Sequence, residues 1–437
     1  MKNILVFLIV LFSVPSFAQN FNKAKIDSLF QVLQAKDKYM GSVAVSENGK
    51  IIYSNAIGKE DIATNKIATV STKYRIGSIS KMFTSVLVFK AIEEKKLSLT
   101  QTIESYFPSV ENASKITISN LLNHRSGIYN FTSAPEYNSY SAQPKTAKEM
   151  VAIIANGKSV FEPNSKGEYS NSNYVLLSYI LEEVYKQPYA ALVQTKVVKP
   201  LDLKNTYFGG KIDLAKNEGY SYSYTDKWNK ETETDISIPM GAGGMVSTPT
   251  DLTQFIQALF DGKLISVTSL EQMKTIQEKY GMGIFQIPFY DKTGYGHTGG
   301  IDGFGSALSY WPESKLSIAI TSNGINYGNN DIVVAILSSY YNRKFEVPTF
   351  TTLALKTEDL DQYLGEYGSP TFPLAIAVTK DKTKLVAQAT GQGAFPLEAI
   401  KKDTFEFKAA GITLEFNPTS NQMTIIQGGM KNVLTKK

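Results

Sequence analysis

The rest of this chain is organised around the stretch Tyr74-Arg75-Ile76-Gly77-Ser78-Ile79-Ser80-Lys81-Met82-Phe83-Thr84. A glycine turn leads into a helix, and Ser78 and Lys81 stand three residues apart at its start. Positions i and i+3 lie on the same face of a helix, so we expect the Ser78 hydroxyl to approach the Lys81 amine. A base that takes the proton of a hydroxyl makes it a good nucleophile. The stretch therefore predicts an activated serine or, as the alternative, an N-capping serine beside a solvated lysine.

The apolar residues after Lys81 predict a helix that is buried on nearly all sides. Met82 and Phe83 are followed by Val86-Leu87-Val88-Phe89, which leaves little room for a polar face. A lysine can act as a base only where burial or nearby positive charge favours its neutral form. A helix buried in this way provides such surroundings for Lys81.

The composition predicts a folded protein of two or three domains and argues against several functional classes. The chain has 437 residues, of which 43% are hydrophobic and 19% are charged, so it can bury a sizeable core. Its net charge of +5 is small for this length, which argues against a nucleic-acid partner. His124 and His297 lie far apart and cysteine is absent, so we expect no His/Cys zinc site.

The first 18 residues have the layout of a secretory signal peptide. Lys2 precedes an apolar run from Ile4 to Val14, and Pro15-Ser16-Phe17-Ala18 is typical of a cleavage site. The alternative, a membrane anchor, is weaker because the apolar run is short for a transmembrane span. A lipoprotein-type anchor would need a cysteine, which the sequence lacks. The sequence predicts an exported protein, periplasmic or secreted, without a stable membrane anchor after cleavage.

The order of helical and strand patterns predicts an α+β fold. An amphipathic helix over 21–36 is followed by a hairpin around Asn48-Gly49, which is a strong hairpin signal. Residues 74–280 are mostly helical, strands return over 295–322, and a helix covers 331–341. Strands from both ends of this region would form one antiparallel sheet flanked by helices, with a large helical insert.

The chain beyond residue 350 predicts a small all-β domain or barrel. Short alternating runs are separated there by turn residues at short intervals. The runs are Leu374–Val378, Lys384–Gln388, Phe395–Ala399, Phe405–Lys408, Ile412–Phe416 and Met423–Ile426. We therefore predict a signal peptide over 1–18, a first domain over 19–348 and a β-barrel domain over 349–437.

A polar loop, Glu168-Tyr169-Ser170-Asn171, precedes another apolar helix. A tyrosine held near a lysine ammonium has a lowered pKa and can take a proton, so Tyr169 is a second candidate base. Asn171, two residues later, can bind a substrate carbonyl. The alternative is an ordinary helix-capping loop, which this stretch alone would favour.

A glycine-dense run, Gly294–Gly303, lies on an expected strand of the sheet. Glycines there let a ligand approach the backbone closely. The backbone N–H of Gly300, together with that of Ser78, could form an oxyanion hole. The alternative is a glycine-rich turn with a surface histidine, His297. A further run, Gly241–Met245, either lines a cleft or forms a tight turn.

Taken in this order, the motifs resemble those of the serine β-lactamase and penicillin-binding protein superfamily. The branch is the one with class C β-lactamases, D-alanyl-D-alanine carboxypeptidases, D-amino-acid peptidases and related esterases. The resemblance covers roughly residues 21–345, and the ordered set is more specific than any single motif. The motifs are Tyr74–Lys81, Leu121-Leu122-Asn123-His124-Arg125-Ser126-Gly127, Phe161-Glu162-Pro163, Tyr169-Ser170-Asn171, Gly243-Gly244-Met245-Val246-Ser247 and His297-Thr298-Gly299-Gly300.

The resemblance implies a serine hydrolase that works through an acyl-enzyme, without metal or organic cofactor. It implies the superfamily fold, with the site between the sheet and the helical insert. The substrate would be a small molecule or short peptide, with D-amino-acid peptides, β-lactams, esters and cell-wall peptides as candidates. The implied roles are Ser78 as nucleophile, Lys81 and Tyr169 as base and acid, Asn171, His297, Thr298 and Gly299 in substrate binding, and the backbone of Ser78 and Gly300 as oxyanion hole.

The third motif departs from the superfamily pattern. That motif is often Lys-Thr-Gly, but we assign it to His297-Thr298-Gly299 and not to Lys292-Thr293-Gly294, because the residues that follow match only there. We interpret Lys292–Gly294 as the loop that leads into the strand. His297 replaces a permanent cation with a group that is largely neutral near pH 7. This weakens the expectation of efficient β-lactamase activity and favours a peptidase or an esterase.

Two other functional classes are weaker. A non-catalytic penicillin-binding-like protein could keep the fold to bind cell-wall peptides, but the retention of Ser78, Lys81, Tyr169 and Asn171 together argues against it. A Ser-His-Asp hydrolase would be expected to carry a Gly-x-Ser-x-Gly elbow, which the sequence lacks. Ser80 is the competing serine, and it points away from the face of Lys81. The sequence predicts neither the oligomeric state nor the role of the barrel.

Overall fold

The computed structural model describes residues 21–437 except 351, 352, 354, 371, 392, 408, 409, 428 and 429. The expected signal peptide, residues 1–18, lies outside the described residues. Within them, helices and an antiparallel sheet are followed by a closed β-barrel, which confirms the α+β class with an all-β C-terminal part. The boundaries of the domains, 19–348 and 349–437, stay a prediction.

The first part of the chain contains helices and strands in the order that the sequence patterns indicate. The helices are α1 (Lys23–Ala35), α2 (Ser80–Glu93), α3 (Ile118–Leu122), α4 (Tyr137–Tyr140), α5 (Ala147–Asn156), α6 (Asn171–Tyr185), α7 (Tyr189–Val193), α8 (Met240–Gly243), α9 (Pro249–Phe260), α10 (Val267–Lys274) and α11 (Asn329–Tyr340). The strands are β1 (Tyr39–Glu47), β2 (Lys50–Ile57), β3 (Lys59–Asp61), β4 (Lys66–Ile67), β5 (Tyr74–Arg75), β6 (Tyr207–Phe208), β7 (Tyr222–Tyr224), β8 (Trp228–Lys230), β9 (Met245–Ser247), β10 (Phe285–Phe289), β11 (Lys292–Ile301), β12 (Phe304–Trp311) and β13 (Leu316–Ile325).

The central sheet takes its strands from both ends of this region. Its order is β10-β11-β12-β13-β1-β2 with antiparallel neighbours, and β7 pairs in parallel with β13. Asn48 and Gly49, at the turn between β1 and β2, both have positive φ, as the predicted tight hairpin requires. The predicted sheet is therefore confirmed, and the segment between β2 and β10 supplies the helical insert.

Helices cover both faces of the sheet. On one face α1 and α11 contribute Phe30 and Ile336, which pack with Val43 of β1 in an apolar core. On the other face Leu308 and Ala319 belong to a larger core shared with α2, α9 and the helical insert. Burial of apolar surface from both sides fixes the sheet register, because a one-residue slip would turn each side chain to the wrong face.

Helix α2 lies inside the larger core, between the sheet and the insert. Residues 80–89 are all buried, and Phe83 stacks on Phe255 of α9 with ring centroids 3.9 Å apart. The helix that the apolar run predicts is therefore enclosed on all sides. Its first turn, with Lys81, is held by this packing at the boundary between sheet and insert, directly after Ser78.

The C-terminal part forms a closed antiparallel barrel. Its strands are β14 (Gly365–Ser369), β15 (Phe372–Asp381), β16 (Lys384–Ala389), β17 (Phe395–Lys401), β18 (Thr404–Phe407), β19 (Ile412–Asn417), β20 (Gln422–Gln427) and β21 (Met430–Lys436). The predicted runs fall on β15 to β20, although Lys408 lies outside the described residues. We did not predict β14 and β21, where Tyr367 and Leu434 are the buried residues and the pattern is correspondingly faint.

In the described part of the chain, no α-helix has both the length and the apolar character that crossing a lipid bilayer requires.

Candidate active site

Ser78 lies in a short 3-10 turn, Gly77–Ile79, between β5 and α2. Gly77 has a φ of 49°, a backbone conformation that favours glycine. A Cβ atom at Gly77 would lie 2.7 Å from the nitrogen of Gly300, so a larger residue would push β11 away. This close approach places Ser78 between the start of a buried helix and the end of a sheet strand.

Lys81 lies one turn after Ser78, and its amine is surrounded by oxygen atoms. Its Nζ is 3.0 Å from the Ser78 Oγ, 2.8 Å from the Asn171 Oδ1 and 2.7 Å from the carbonyl oxygen of Ala242. Amide and carbonyl oxygens only accept hydrogen bonds, so they take two N–H groups of the amine. In a neutral amine the lone pair is then left for the Ser78 hydroxyl. The expected approach of Ser78 and Lys81 is therefore observed, with a geometry that suits proton transfer.

The surroundings of Lys81 favour its neutral form. The residue is 0% exposed, which excludes the alternative of a solvated lysine. Burial lowers the pKa of Lys81 well below its ordinary value, because the ammonium loses its hydration. An amine that is neutral near physiological pH can accept a proton from a hydroxyl beside it.

Tyr169, just before α6, also reaches Ser78. Its hydroxyl is within hydrogen-bonding reach of the Ser78 side chain, and the Lys81 Nζ lies 4.9 Å from the centre of its ring. Burial raises the pKa of Tyr169 above its ordinary value, and the hydrogen bond with Ser78 only partly opposes this. The expected lowering by a lysine ammonium was wrong, because burial keeps the lysine neutral and acts directly on the phenol. Tyr169 is therefore a protonated phenol that can donate or relay a proton.

Asn171 is the first residue of α6 and connects Lys81 to the loop after α3. Its Oδ1 accepts a hydrogen bond from Lys81, while its Nδ2 donates to the Asn130 Oδ1 at 3.3 Å and to the Thr132 Oγ1 at 3.1 Å. This network fixes which end of the amide faces the lysine. Asn171 and Thr132 line the same cavity as Ser78, so a ligand beside the serine would meet the amide.

The end of β11 passes close to the Ser78 turn. A Cβ atom at Gly299 would lie 2.1 Å from the Ile76 carbonyl oxygen and 3.0 Å from the Ser78 nitrogen. Only glycine permits this approach. Ser78 and Gly300 line one cavity, as two donors of an oxyanion hole must.

His297 and Thr298 point to opposite faces of β11, as neighbours on a strand do. His297 is 3% exposed, and its ring lies 4.5 Å from the Phe285 ring and 6.3 Å from the Tyr169 ring. Burial lowers the pKa of His297 to about 3, so its imidazole is neutral at physiological pH. Thr298 is exposed. Contact of these two side chains with one substrate group stays a prediction.

The alternative nucleophile, Ser80, and the alternative third motif, Lys292–Gly294, both make contacts away from the Ser78 hydroxyl. The Ser80 Oγ accepts a hydrogen bond from the backbone N–H of Met245 at 3.0 Å, inside the core. Lys292–Gly294 is part of β11 and not the loop that we expected, because it continues the ladder with β10 up to the pair of Phe289 and Lys292. The Lys292 Nζ forms an ion pair with Glu313 at 2.8 Å.

A cavity of about 710 Å³ opens beside Ser78 and carries several carboxylates. The acidic residues in its lining are Glu231, Glu233 and Asp302. The buried Arg75 donates hydrogen bonds to Glu233 at 3.3 Å and to Asp302 at 3.2 Å. Among the described residues that line the cavity, none is lysine or arginine. One guanidinium is thus paired with two carboxylates, and Glu231 adds a third, so the cavity has an excess of negative charge.

Sequence reasoning missed several residues that shape the site. The sequence of Gly241–Met245 is compatible with a cleft lining or a tight turn. In the structure its first residues belong to α8 and supply the Ala242 carbonyl that binds Lys81. A backbone carbonyl has no signal in the sequence. Glu231 and Glu233 lie in a polar stretch of the insert that is far from Ser78 in the sequence. Only the tertiary packing of the insert brings them to the same cavity, so no sequence pattern marks them.

The family comparison agrees with this arrangement. A sequence model of the Beta-lactamase family matches residues 26–335, which is 310 of the 437 residues. The chain belongs to the beta-lactamase family. It is a serine hydrolase of the β-lactamase and penicillin-binding protein type, as the resemblance of the motifs predicted.

Relatives of this beta-lactamase-family enzyme cover most of its length. Penicillin-binding protein 4* of Bacillus subtilis (strain 168) is 24% identical over 432 residues, covering 90% of this chain and 94% of the relative. A teichoic acid D-alanine hydrolase of Staphylococcus aureus is 28% identical over 311 residues, covering 68% of this chain and 74% of the relative. The crystal structure of D-amino acid amidase from Ochrobactrum anthropi SV3, complexed with L-phenylalanine amide, is 25% identical with a TM-score of 0.65, covering 72% of this chain and 98% of the amidase. The predicted fold of the first domain is therefore confirmed.

Proposed function

We propose that this enzyme hydrolyses esters or amides of D-amino acids through an acyl-enzyme on Ser78. The observation that carries the proposal is the contact between the Ser78 Oγ and the buried Lys81 Nζ at the edge of the cavity. A neutral base beside a hydroxyl is the arrangement that activates a serine nucleophile. A protein that only bound cell-wall peptides would have no use for a lysine kept neutral at a cost in stability.

In the acylation step, Ser78 is the nucleophile and the neighbouring Lys81 is the base. Its oxygen attacks the carbonyl carbon of the substrate while its proton passes to the Lys81 amine. The negative charge that develops on the carbonyl oxygen would be stabilised by the backbone N–H groups of Ser78 and Gly300. The Tyr169 hydroxyl then gives its proton to the leaving alcohol or amine and recovers one from Lys81. The bond to the leaving group breaks, and the acyl group stays on Ser78 as an ester.

Deacylation repeats these steps with water as the nucleophile. The Lys81 amine takes the water proton, directly or through the Tyr169 hydroxyl, which gives up its own proton as it receives one. The ester bond to Ser78 then breaks, and the Ser78 oxygen recovers the proton from Lys81. The Asn171 amide, held by Lys81 and Thr132, would orient the bound acyl group. At the start of each half-reaction the Lys81 amine is neutral and the Tyr169 phenol is protonated, so the same base and the same proton relay can serve both half-reactions.

The charges of the site support a substrate with an ammonium group. Carboxylate-bearing substrates such as β-lactams would need a cation, but the buried His297 is neutral. Glu231, which lines the cavity, adds to the excess negative charge left by Arg75 and its two acidic partners. An α-ammonium group on the substrate would be attracted to this side of the cavity.

Two of the relatives support the same class. One is a teichoic acid D-alanine hydrolase and another is a D-amino acid amidase. Esters of D-alanine and amides of free D-amino acids both carry an α-ammonium group next to the carbonyl that is attacked. This combination of a free amine with an activated acyl group fits an acid-lined cavity beside a serine.

Substitution Glu231→Gln tests the choice of substrate. We expect kcat/KM for D-alanine p-nitroanilide to fall about threefold to tenfold, because one carboxylate that attracts the ammonium is lost. N-acetyl-D-alanine p-nitroanilide has no ammonium, and its kcat/KM should change by less than about twofold. Initial-rate kinetics with both substrates measure the difference.

A matched variant controls for a general loss of charge. Glu104→Gln removes an exposed carboxylate that does not line the cavity, and it should leave both substrates unaffected. Equal effects of Glu231→Gln on the two substrates would count against recognition of the ammonium. A higher kcat/KM for nitrocefin than for the D-alanine substrate would count against the proposed substrate class itself.

We also propose that the protein is exported to the periplasm or secreted, which would bring it to D-amino acid derivatives of the cell envelope. The layout of residues 1–18 supports this. Sequencing the amino terminus of the mature protein should find Gln19 as the first residue, whereas a retained Met1 would contradict it.

A further inference from the structure

The buried His124 takes no part in the reaction described above. It follows α3, is 2% exposed and has a φ of 59°. Residues other than glycine are uncommon in this left-handed conformation, although asparagine, aspartate and histidine are enriched there. A histidine that is buried, and also held in this conformation, acts through its contacts.

His124 binds the backbone of Glu168 and Ser170, the two residues that flank Tyr169 in the sequence. The carbonyl oxygen of His124 accepts a hydrogen bond from the Glu168 N–H at 2.9 Å, and its Nδ1 accepts one from the Ser170 N–H at 3.3 Å. A backbone N–H can only donate, so Nδ1 carries the lone pair. The imidazole ring itself lies 4.4 Å from the Tyr169 ring, at an angle of 35°. His124 thus contacts the Tyr169 ring and also binds the main chain on either side of Tyr169.

The imidazole is itself fixed by its other neighbours. The Asn173 Nδ2 lies 3.4 Å from the His124 Nδ1, and the rings of Tyr174 and Tyr280 lie 5.3 Å and 5.2 Å away. Burial lowers the pKa of His124 well below its ordinary value, so Nδ1 keeps its lone pair at physiological pH. The His124 ring is therefore in contact with three residues besides Tyr169.

We propose that His124 is a positioning residue that keeps the Tyr169 hydroxyl on Ser78. The inference rests on the acid and base role proposed for Tyr169. Proton transfer needs the phenol oxygen within hydrogen-bonding distance of the reacting group. A displacement of about 1 Å in a catalytic arrangement can cost about 10²-fold in rate. Loss of the hydrogen bond to Ser170 and of the ring contact would allow such a displacement.

A double-mutant cycle with His124→Ala and Tyr169→Phe tests the proposal. We expect His124→Ala to lower kcat for D-alanine p-nitroanilide about 30- to 100-fold and to leave KM within about threefold. In the Tyr169→Phe background the same substitution should lower kcat by less than about threefold, because no hydroxyl remains to be positioned. Equal losses in both backgrounds would overturn the inference, because His124 would then act independently of the phenol.

The cycle also separates this inference from the proposed function. Wild-type activity of Tyr169→Phe would overturn both the positioning role of His124 and the proton-transfer role of Tyr169. It would leave the assignment of Ser78 and Lys81 untouched. A large effect of Tyr169→Phe combined with additive losses from His124→Ala would overturn the positioning role alone.

His124→Asn distinguishes positioning from general packing. Asparagine accepts the left-handed conformation, and its Oδ1 can replace the Nδ1 as acceptor for Ser170. We expect its kcat to lie within about tenfold of the wild-type value and well above that of His124→Ala. If His124→Ala does not fold, His124→Asn takes its place in the cycle, and a loss that persists in the Tyr169→Phe background overturns the inference.

Ser126→Ala is the matched control. Ser126 is 1% exposed and belongs to the same network, since its Oγ donates to the Asn173 Oδ1 at 2.6 Å and accepts from the Ile128 N–H at 3.1 Å. Its loss should lower the free energy of unfolding, while kcat stays within about threefold of wild type. A loss of kcat as large as that of His124→Ala would overturn the specific link between His124 and Tyr169.

Discussion

Replacement of Lys81 by methionine will lower kcat/KM by about 10³- to 10⁴-fold, towards the upper end of what general-base catalysis contributes. Methionine fills a similar volume without an amine, so Ser78 loses the group 3.0 Å away that takes its proton. The free energy of unfolding should change by no more than about 3 kcal/mol. The unpaired oxygens of Asn171 and Ala242 lower it, while removal of a costly buried amine raises it. Initial-rate kinetics and denaturant unfolding measure the two quantities.

Lys90→Met is the control for this substitution, because Lys90 lies in the last turn of the same helix, away from Ser78. We expect it to retain activity within about twofold. Unfolding of the Lys81 variant would mean that this lysine is structural, and wild-type turnover would mean that it is not the base.

The pH dependence of the acylation rate is an independent test of Lys81 as the base. A base works in its deprotonated form, so the rate should rise with pH through the lowered pKa of Lys81 and then level off. The plateau should begin well below about 10.4, the ordinary lysine pKa. The unfolded chain binds this proton more readily, so between the two pKa values the free energy of unfolding should increase with pH. A rate that keeps rising tenfold per pH unit up to about pH 10 would contradict a lowered pKa.

Replacement of Ser78 by alanine will lower kcat/KM by at least about 10⁵-fold, because loss of the nucleophile in serine hydrolases costs about 10⁶-fold. The fold should survive, since alanine fits wherever the hydroxyl was and α2 stays enclosed by its apolar neighbours. Hydrolysis of D-alanine p-nitroanilide and the thermal unfolding midpoint together measure the effect.

Ser80→Ala separates the nucleophile from its neighbour. The Ser80 Oγ accepts the Met245 N–H in the core, so this variant should lose about 1–3 kcal/mol of stability and keep turnover within about threefold. If Ser80→Ala abolished turnover in a folded protein while Ser78→Ala did not, the two serines would have to exchange roles.

Local patterns predicted the fold where each element carries its own signal. The Asn48-Gly49 turn predicts its hairpin, and the apolar run after Lys81 predicts an enclosed helix. The short alternating runs predict most of the barrel, but β14 and β21 bury too few side chains to stand out. The run Lys292–Gly294 resembles a loop in sequence because its glycine and polar residues carry no strand pattern, yet it pairs with β10.

The site could be predicted where spacing alone brings residues together. Ser78 and Lys81 meet because three residues make almost one helical turn. The carbonyl of Ala242, the carboxylate of Glu231 and the support from His124 depend on how distant segments pack, which no local spacing encodes. A lysine ammonium held nearby predicts a lowered pKa for Tyr169, but burial, which the sequence does not reveal, raises that pKa instead.

An intact-mass measurement after incubation with a fluorophosphonate, followed by peptide mapping, tests whether Ser78 is the nucleophile that forms the acyl-enzyme. We expect one stable adduct, on the peptide that contains Ser78, in the wild-type protein. The adduct should persist in Ser80→Ala, form far more slowly in Lys81→Met and be absent from Ser78→Ala. Absence of an adduct with this probe and with penicillin, or modification that persists in folded Ser78→Ala, would contradict an acyl-enzyme on Ser78.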